Sequence, residues 1–339
     1  MKYDQAEELK RQIFEELLFR PPHPTYSAPS PSRRSRMHRK SRDELDVALG
    51  ITHTEIPDEF KLAVRVDEQT YTENLGLVDQ ISERARGEID LLIMDWPQAY
   101  GRPPKSTPQA QPFLPLEIGI SIANQSHDAG SIGWFPKSEE LQERVVLSCA
   151  HVLSHPWTDD VYQPGPYDGG TPADLIGSCI SASPINFQQG INQIDAAIST
   201  LTKPYLLTSQ FLPPGLTIQG VGPIPHKKTF SKPAKLVHKV GSTTGLTTGY
   251  VRAEKVDGVP VKYGRETARF NDCIEIIGSD GNPFSLEGDS GALVFDEDGF
   301  AFGLVFCGGE GRTWRHPMKT DITYANRLDI VLKHFNLTL

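Results

Sequence analysis

From about Leu114 to Leu339 the chain is a succession of short β-prone runs separated by Gly, Pro, Asp and Asn. Glu143–Ser148, Ile194–Ile198, Lys235–Val240, Cys273–Ile277, Ala292–Phe295 and Phe302–Phe306 are examples. Many short strands at fairly even spacing predict a sandwich or barrel rather than alternating β/α units. The sequence closes with Arg327–Phe335, whose periodicity predicts a terminal helix.

The first third has a different texture. Ala6, Leu9, Ile13, Leu17 and Leu18 share one helical face, which predicts an amphipathic helix within residues 1–20. Its apolar stripe needs a partner: the rest of the chain, a second copy or another protein. Residues 21–42 are rich in Pro and Ser and carry six basic residues (Arg33, Arg34, Arg36, Arg39, Lys40, Arg42), as in a flexible basic tether. In residues 43–100, a strand at Phe60–Val66, a helix at Glu73–Arg86 and a strand at Ile89–Met94 predict a small α/β module. Residues 101–113 then read as a linker, and 114–339 as the β domain.

Of the 339 residues, 38% are hydrophobic and 23% charged, enough apolar content for a core and too much for a disordered chain. The net charge of −9 gives no global basic field that draws the whole molecule to nucleic acid, and the basic stretch reads as a solvated tether ahead of an arm for nucleic acid, so such a partner is not expected. Cys149, Cys179, Cys273 and Cys307 lie far apart, which argues against a zinc ribbon or a disulfide scaffold. An uninterrupted apolar leader and a run of ~20 apolar residues are both missing, so no membrane role and a cytoplasmic location with reduced thiols are expected.

Three stretches of the β region carry chemistry. Leu147-Ser-Cys-Ala-His-Val152 is an apolar strand that ends at His151; Asn192-Gln-Ile-Asp-Ala-Ala-Ile198 embeds Asp195 among apolar residues; Glu287-Gly-Asp-Ser-Gly-Ala292 sets Ser290 between glycines before a strand. Serine attacks well only when a base takes its proton, and an imidazole does so when a carboxylate fixes its tautomer. The glycines let the backbone curl so that the amides of Gly288 and Ser290 point at one developing oxyanion. His155 rivals His151, and Asp159, Asp160, Asp168 and Asp174 rival Asp195, but those acids sit in polar Gly/Pro-rich loops where an acid is usually solvated or caps a turn. Asp195 lies among apolar residues, where an unpaired carboxylate would be costly. Gly-Asp-Ser-Gly also makes ordinary turns, and a buried free thiol such as Cys149 usually packs as a small hydrophobe. Gly241-Ser-Thr-Thr-Gly245 lacks the Lys-Ser/Thr and the βα unit of a phosphate loop and reads as a turn.

The order His, Asp, Ser, with separations of 44 and 95 residues, resembles trypsin/chymotrypsin-like serine peptidases. Leu116-Glu-Ile-Gly-Ile-Ser-Ile122, Gln163-Pro-Gly-Pro-Tyr-Asp-Gly-Gly170, Val240-Gly-Ser-Thr-Thr-Gly-Leu-Thr-Thr-Gly-Tyr-Val251 and Phe284-Ser-Leu-Glu-Gly-Asp-Ser-Gly291 are similar to a bacterial group related to the plant narrow-leaf proteases. The resemblance covers roughly residues 111–339. It implies a mainly β fold of two six-stranded antiparallel barrels with the triad between them, His151 and Asp195 on the first and Ser290 on the second. It also implies Phe284 at the floor of the primary pocket, Glu287 at its mouth, and Phe306-Cys307-Gly308 as the strand that pairs with substrate. With Phe284 rather than an acid at that floor, small or apolar residues before the cleaved bond are expected, not Lys or Arg. Secreted members pair a freed amino terminus with the acid before the serine; no activation site is evident here, so Asp289 is expected to find another partner.

The expected function is an intracellular serine endopeptidase, with no cofactor or metal, that processes a specific protein partner or itself, its amino-terminal helix being available to a partner. The competing expectation is a non-catalytic binding protein on a peptidase scaffold, with the basic arm contacting nucleic acid or a partner.

Overall fold

The computed structural model describes residues 1–18, 46–56, 58–99, 108–125, 129–156, 158–188, 190–225, 235–279, 281–313 and 318–339. The basic tether and most of the Pro-rich 101–108 stretch lie outside the described residues. Helix α1 (Tyr3–Ile13) continues into one wider turn at Phe14–Leu18. It buries Ala6 and Ile13 against the strands that follow, with Leu9, Leu17 and Leu18 packed alongside. The rest of the chain is therefore the partner of its apolar stripe. Lys10, almost fully buried, reaches the Lys255 carbonyl at 2.7 Å and the Asp257 carboxylate at 2.6 Å.

Strands β1 (Val47–His53) and β2 (Phe60–Asp67) pair antiparallel over their whole length, and β2 pairs in parallel with β3 (Ile89–Gln98) from Leu62↔Ile89 to Asp67↔Met94. A parallel pair needs a crossover, and α2 (Glu68–Glu73) with α3 (Leu75–Arg84) supplies it. The helix expected over Glu73–Arg86 is α3; α2 precedes it, separated at Asn74, whose φ of −129° and ψ of 40° are not helical. β1 was not anticipated from sequence. Its Gly50 passes so close to its neighbour that a Cβ there would lie 2.8 Å from Val256.

The first barrel is six antiparallel strands: β4 (Ser121–Asn124), β5 (Gly130–Ser131), β6 (Val146–Ser148), β7 (Asp160–Tyr162), β8 (Leu175–Ala182) and β9 (Ala197–Ser199). Their spatial order is β5-β4-β7-β8-β9-β6, and the bridge Trp134↔Leu147 brings the chain after β5 back to β6. The second barrel closes completely. β10 (Val237–Gly241), β11 (Gly245–Asp257), β14 (Cys273–Gly278), β15 (Leu293–Asp296), β16 (Phe300–Arg312) and β17 (Thr320–Arg327) run β11-β10-β15-β16-β17-β14 and return to β11, every pair antiparallel. The hairpin β12 (Val259–Tyr263) and β13 (Glu266–Phe270) branches from it, and α5 (Leu328–His334) ends the fold as expected. This is the two-barrel, mainly β architecture anticipated above. Among the described residues no helix is long and apolar enough to cross a membrane.

The amino-terminal strands are hydrogen-bonded into the second barrel. β1 pairs antiparallel with β11, β3 pairs antiparallel with β16, and Gln98 of β3 pairs with Lys262 of β12. The charge network beneath them is fully enclosed at its centre and partly exposed at Asp90 and Arg252. Arg65 of β2 has no exposed surface and grips the Glu275 carboxylate of β14 with Nε and Nη2, both at 2.8 Å. It also reaches Asp90 Oδ2 at 2.9 Å, while Tyr324 donates to Glu275 at 3.0 Å and Arg252 to Asp90 at 3.0 Å. Arg65 and Arg252 hold the Asp90 carboxyl at about 2 against the opposing pull of burial. Removing one member of such a pair leaves the other charged, buried and uncompensated. Glu275→Gln is therefore expected to lower stability by about 3–5 kcal/mol in urea unfolding, and Arg65→Met with Glu275→Leu to recover most of that loss.

Candidate active site

β6 carries its apolar run into the barrel and stops at Ser148; Cys149 precedes the single turn α4 (Ala150–Leu153), which holds His151 at its second position. Asp195 lies just before β9, fully buried. Its Oδ2 is 2.5 Å from His151 Nδ1 and its Oδ1 accepts the His151 amide at 3.1 Å. An ionised carboxylate only accepts, so Nδ1 carries the proton in this pair and Nε2 is the basic nitrogen.

Two more side chains hold the acid. Tyr263, at the end of β12, donates its hydroxyl to Asp195 Oδ2 at 2.7 Å. Asn326 of β17 accepts from the Asp195 amide and donates to the Asp195 carbonyl, each at 3.0 Å. Burial works to raise the Asp195 pKa, but the charge of His151 and the hydrogen bonds from His151 and Tyr263 outweigh it and hold the pKa low. The Tyr263 phenol is pushed well up by burial and by the Asp195 charge. Neither residue carries a sequence signal, because both approach the acid from strands distant in the chain. Three of the four rival acids are engaged elsewhere: Asp160 accepts from Tyr162 at 3.2 Å, Asp168 from Ser121 at 2.5 Å, and Asp174 caps the turn at Thr171.

Ser290 sits in the loop between β14 and β15, nearly buried, and its hydroxyl donates to the Phe306 carbonyl at 3.3 Å. The histidine segment is stitched onto this loop. Ser131 donates its amide to the Ser290 carbonyl at 2.7 Å, Ser148 donates to the Ser131 carbonyl at 2.8 Å, and Cys149 and the Gly291 amide share the Val305 carbonyl at 3.1 and 2.7 Å. Gly288 and Gly291 adopt φ of 97° and 94°, and a Cβ on Gly291 would fall 2.1 Å from Ser148 Oγ, so the loop needs glycine there. The Gly288 carbonyl is held turned inward by Ser131 Oγ at 2.9 Å and Ser242 Oγ at 2.7 Å.

The Asp289 partner is Lys239 of β10. Both side chains are fully buried and their charges are 3.1 Å apart. Asp289 also accepts from the amides of Thr243, Thr244 and Leu286 and from the Thr244 hydroxyl. The β10–β11 turn read from Gly241-Ser-Thr-Thr-Gly245 is thus the cradle of this acid. The thiol of Cys149, the His151 ring and the Asp195 carboxylate have ligand atoms within 4.8 Å of one another, a spacing that could hold a metal ion. Burial pushes the Cys149 thiol well up, and Asp195 already occupies His151 Nδ1, so the geometry fits an acid–base pair beside a packed thiol.

A cavity of about 620 Å³ opens beside Ser290, lined by Ser285, Leu286, Glu287, Cys307, Gly308 and Asp321 on the second barrel and by Met94, Trp96 and Gln98 at the end of β3. Phe284 does not line it. Its ring is fully buried in the core of the second barrel, and its amide donates to Asp321 at 3.0 Å. The acid that faces this cavity, Asp321, comes from β17. Burial pushes the Asp321 pKa up to about 6, with Glu310 and Asp289 adding to the rise and the Phe284 and Ser285 amides opposing it.

No protein-family model matches the chain, and no curated protein matches it. Solved structures do. The Nocardiopsis protease NAPase aligns at a TM-score of 0.44 and 19% identity over 66% of this chain and 98% of its own. Thermobifida fusca protease A aligns at 0.44 and 16% over 66% and 97%. A serine protease described as glutamic acid specific aligns at 0.44 and 17% over 66% and 100%.

A carboxyl with a raised pKa binds its proton more tightly folded than unfolded, so stability falls as pH rises from 3.8 through about 6. Asp321→Asn is expected to stabilise the protein at pH 7 by about 1–2 kcal/mol. In thermal unfolding that difference should vanish below pH 4.

Proposed function

We propose that the chain is a serine endopeptidase in which His151, Asp195 and Ser290 act as base, orienting acid and nucleophile, and that it processes a specific protein partner or itself. The observation that carries this reading is the Asp195 carboxylate: fully buried, bonded to His151 Nδ1, and backed by Tyr263 and Asn326. A buried charge of this kind is expensive unless paired, and the pairing found here sets the imidazole in the tautomer a general base requires.

In the proposed reaction the Ser290 hydroxyl leaves the Phe306 carbonyl and turns to His151 Nε2. The ring takes the proton as the serine oxygen attacks the substrate carbonyl carbon. Negative charge passes to the carbonyl oxygen and is met by the Gly288 and Ser290 amides. As that oxygen re-forms its double bond, the C–N bond breaks and His151 gives its proton to the leaving amine, which leaves an acyl-serine. Water, deprotonated by the same ring, then hydrolyses the ester and restores the Ser290 hydroxyl. Phe306 and Cys307 would pair with the acyl side of the substrate, and Glu287 stands exposed at the cavity rim. The Lys239–Asp289 pair would serve as the internal equivalent of a charged anchor for the oxyanion loop.

A fluorophosphonate probe is expected to label the wild type and not Ser290→Ala, and the intact mass of incubated wild type to show any self-cleavage that Ser290→Ala lacks. Absence of labelling at Ser290 in folded protein would sink the reading. Lys239→Met is expected to cut kcat by roughly 10²–10³, the loss typical of a disabled oxyanion donor, as measured on any peptide the wild type hydrolyses.

A further inference from the structure

A strand has two edges, and those of β16 are almost completely taken. On one edge Gly220 and Val221 pair with Phe300 and Ala301, and β17 then covers Gly303 to Gly311. On the other edge β15 covers Ala301 to Leu304. The serine loop follows. Val305 exchanges hydrogen bonds with Gly291 and Ala292, and Phe306 accepts the Ser290 hydroxyl. From Gly308 to Arg312 the same edge belongs to β3, with Gln98 opposite Gly308, Asp95 opposite Glu310, Met94 opposite Gly311 and Ile93 opposite Arg312. Among the described residues, the stretch left open beside Ser290 is Phe306–Cys307.

A peptide adding antiparallel to this edge with its scissile carbonyl at Ser290 would set its last acyl-side residue opposite Phe306 and its third opposite Gly308, since partners advance one for one along a ladder. Gln98 stands in that third place. β3 runs in the direction such a peptide would run, so it lies where the peptide's earlier residues would lie. Resting on the peptidase reading above, we propose that β3 is a built-in occupant that closes the acyl side of the cleft. The site then takes two residues in extended pairing, and an incoming chain must end or turn away after the second.

β3 is fixed in that position. A Cβ on Gly309 would fall 2.6 Å from the Asp95 carbonyl oxygen and 3.1 Å from Pro97 Cα, so this glycine lets the two backbones meet. Trp96 and Pro97 are buried, Lys319 bridges Asp95 of β3 to Glu310 of β16, and the amide of Ala99 is bonded to the Lys262 carbonyl. The first half of β3 is paired with β2 throughout, so an arriving peptide would have to break two ladders to displace it.

The test is a peptide series with one leaving side and one, two, three or five residues on the acyl side, all with the same residue next to the scissile bond. For the wild type, kcat/KM is expected to rise at least tenfold from one residue to two and to gain nothing, or fall, at three and five. A further tenfold rise at three or five overturns the proposal. Fluorescence anisotropy of the same peptides on Ser290→Ala gives a reading independent of turnover: affinity should peak at two residues, and either a gain with length beyond two or no binding at any length overturns it. If that happens while the probe still labels Ser290, the closed cleft fails and the peptidase reading stands.

Discussion

Everything in the second half of this molecule is organised by the hydrogen-bonding capacity of one strand. Phe300–Arg312 carries a fixed set of backbone donors and acceptors, and burial demands that nearly all be met. Its lower half closes a barrel, its middle anchors the loop that presents Ser290, and its upper half receives a strand from more than two hundred residues earlier. Because the three uses are consecutive on one edge, the position of each is set by the others. A shift by one residue would reverse the faces of the strand and move the serine loop and the amino-terminal sheet together.

Charge supplies the second level of order. Three enclosed pairs, Arg65 with Glu275, Lys239 with Asp289 and His151 with Asp195, each join segments far apart in the chain. Buried ion pairs are poor sources of net stability but are severe about geometry, since a misplaced partner leaves a charge unsolvated. The three pairs tie the amino-terminal sheet to the second barrel, the serine loop to its neighbouring hairpin, and the histidine turn to the strand behind it.

What the sequence revealed follows from what kind of constraint each residue answers to. His151, Asp195 and Ser290 stand out because a nucleophile, a base and an acid must be those residue types in a tight local setting, and the strands of the second barrel stand out because alternation and turn residues are local. The attachment of residues 47–98 to that barrel was hidden, because a ladder partner 200 residues away leaves no mark on local periodicity. Phe60–Val66 and Ile89–Met94 were read as strands without any indication of what they pair with. Tyr263, Asn326 and Lys239 were missed for the same reason: each is an ordinary residue in its own strand and gains its place only from what the fold brings opposite. Asp321 shows a different limit. Counting back from the serine leads to Phe284, but the acid that faces the cavity comes from another strand and touches only the Phe284 backbone.

The first strand of the short hairpin, which ends in Tyr263, links two parts of the molecule. Lys262 lies beside the end of the amino-terminal sheet, and the very next residue gives its phenol to the Asp195 carboxylate. A version of this chain shortened to begin beyond residue 99 would retain His151, Asp195 and Ser290, yet it would lose the wall against which that hairpin is braced. Strand β3 is in this sense structural masonry for the acid, and a chain without it would need a substitute brace at the same spot.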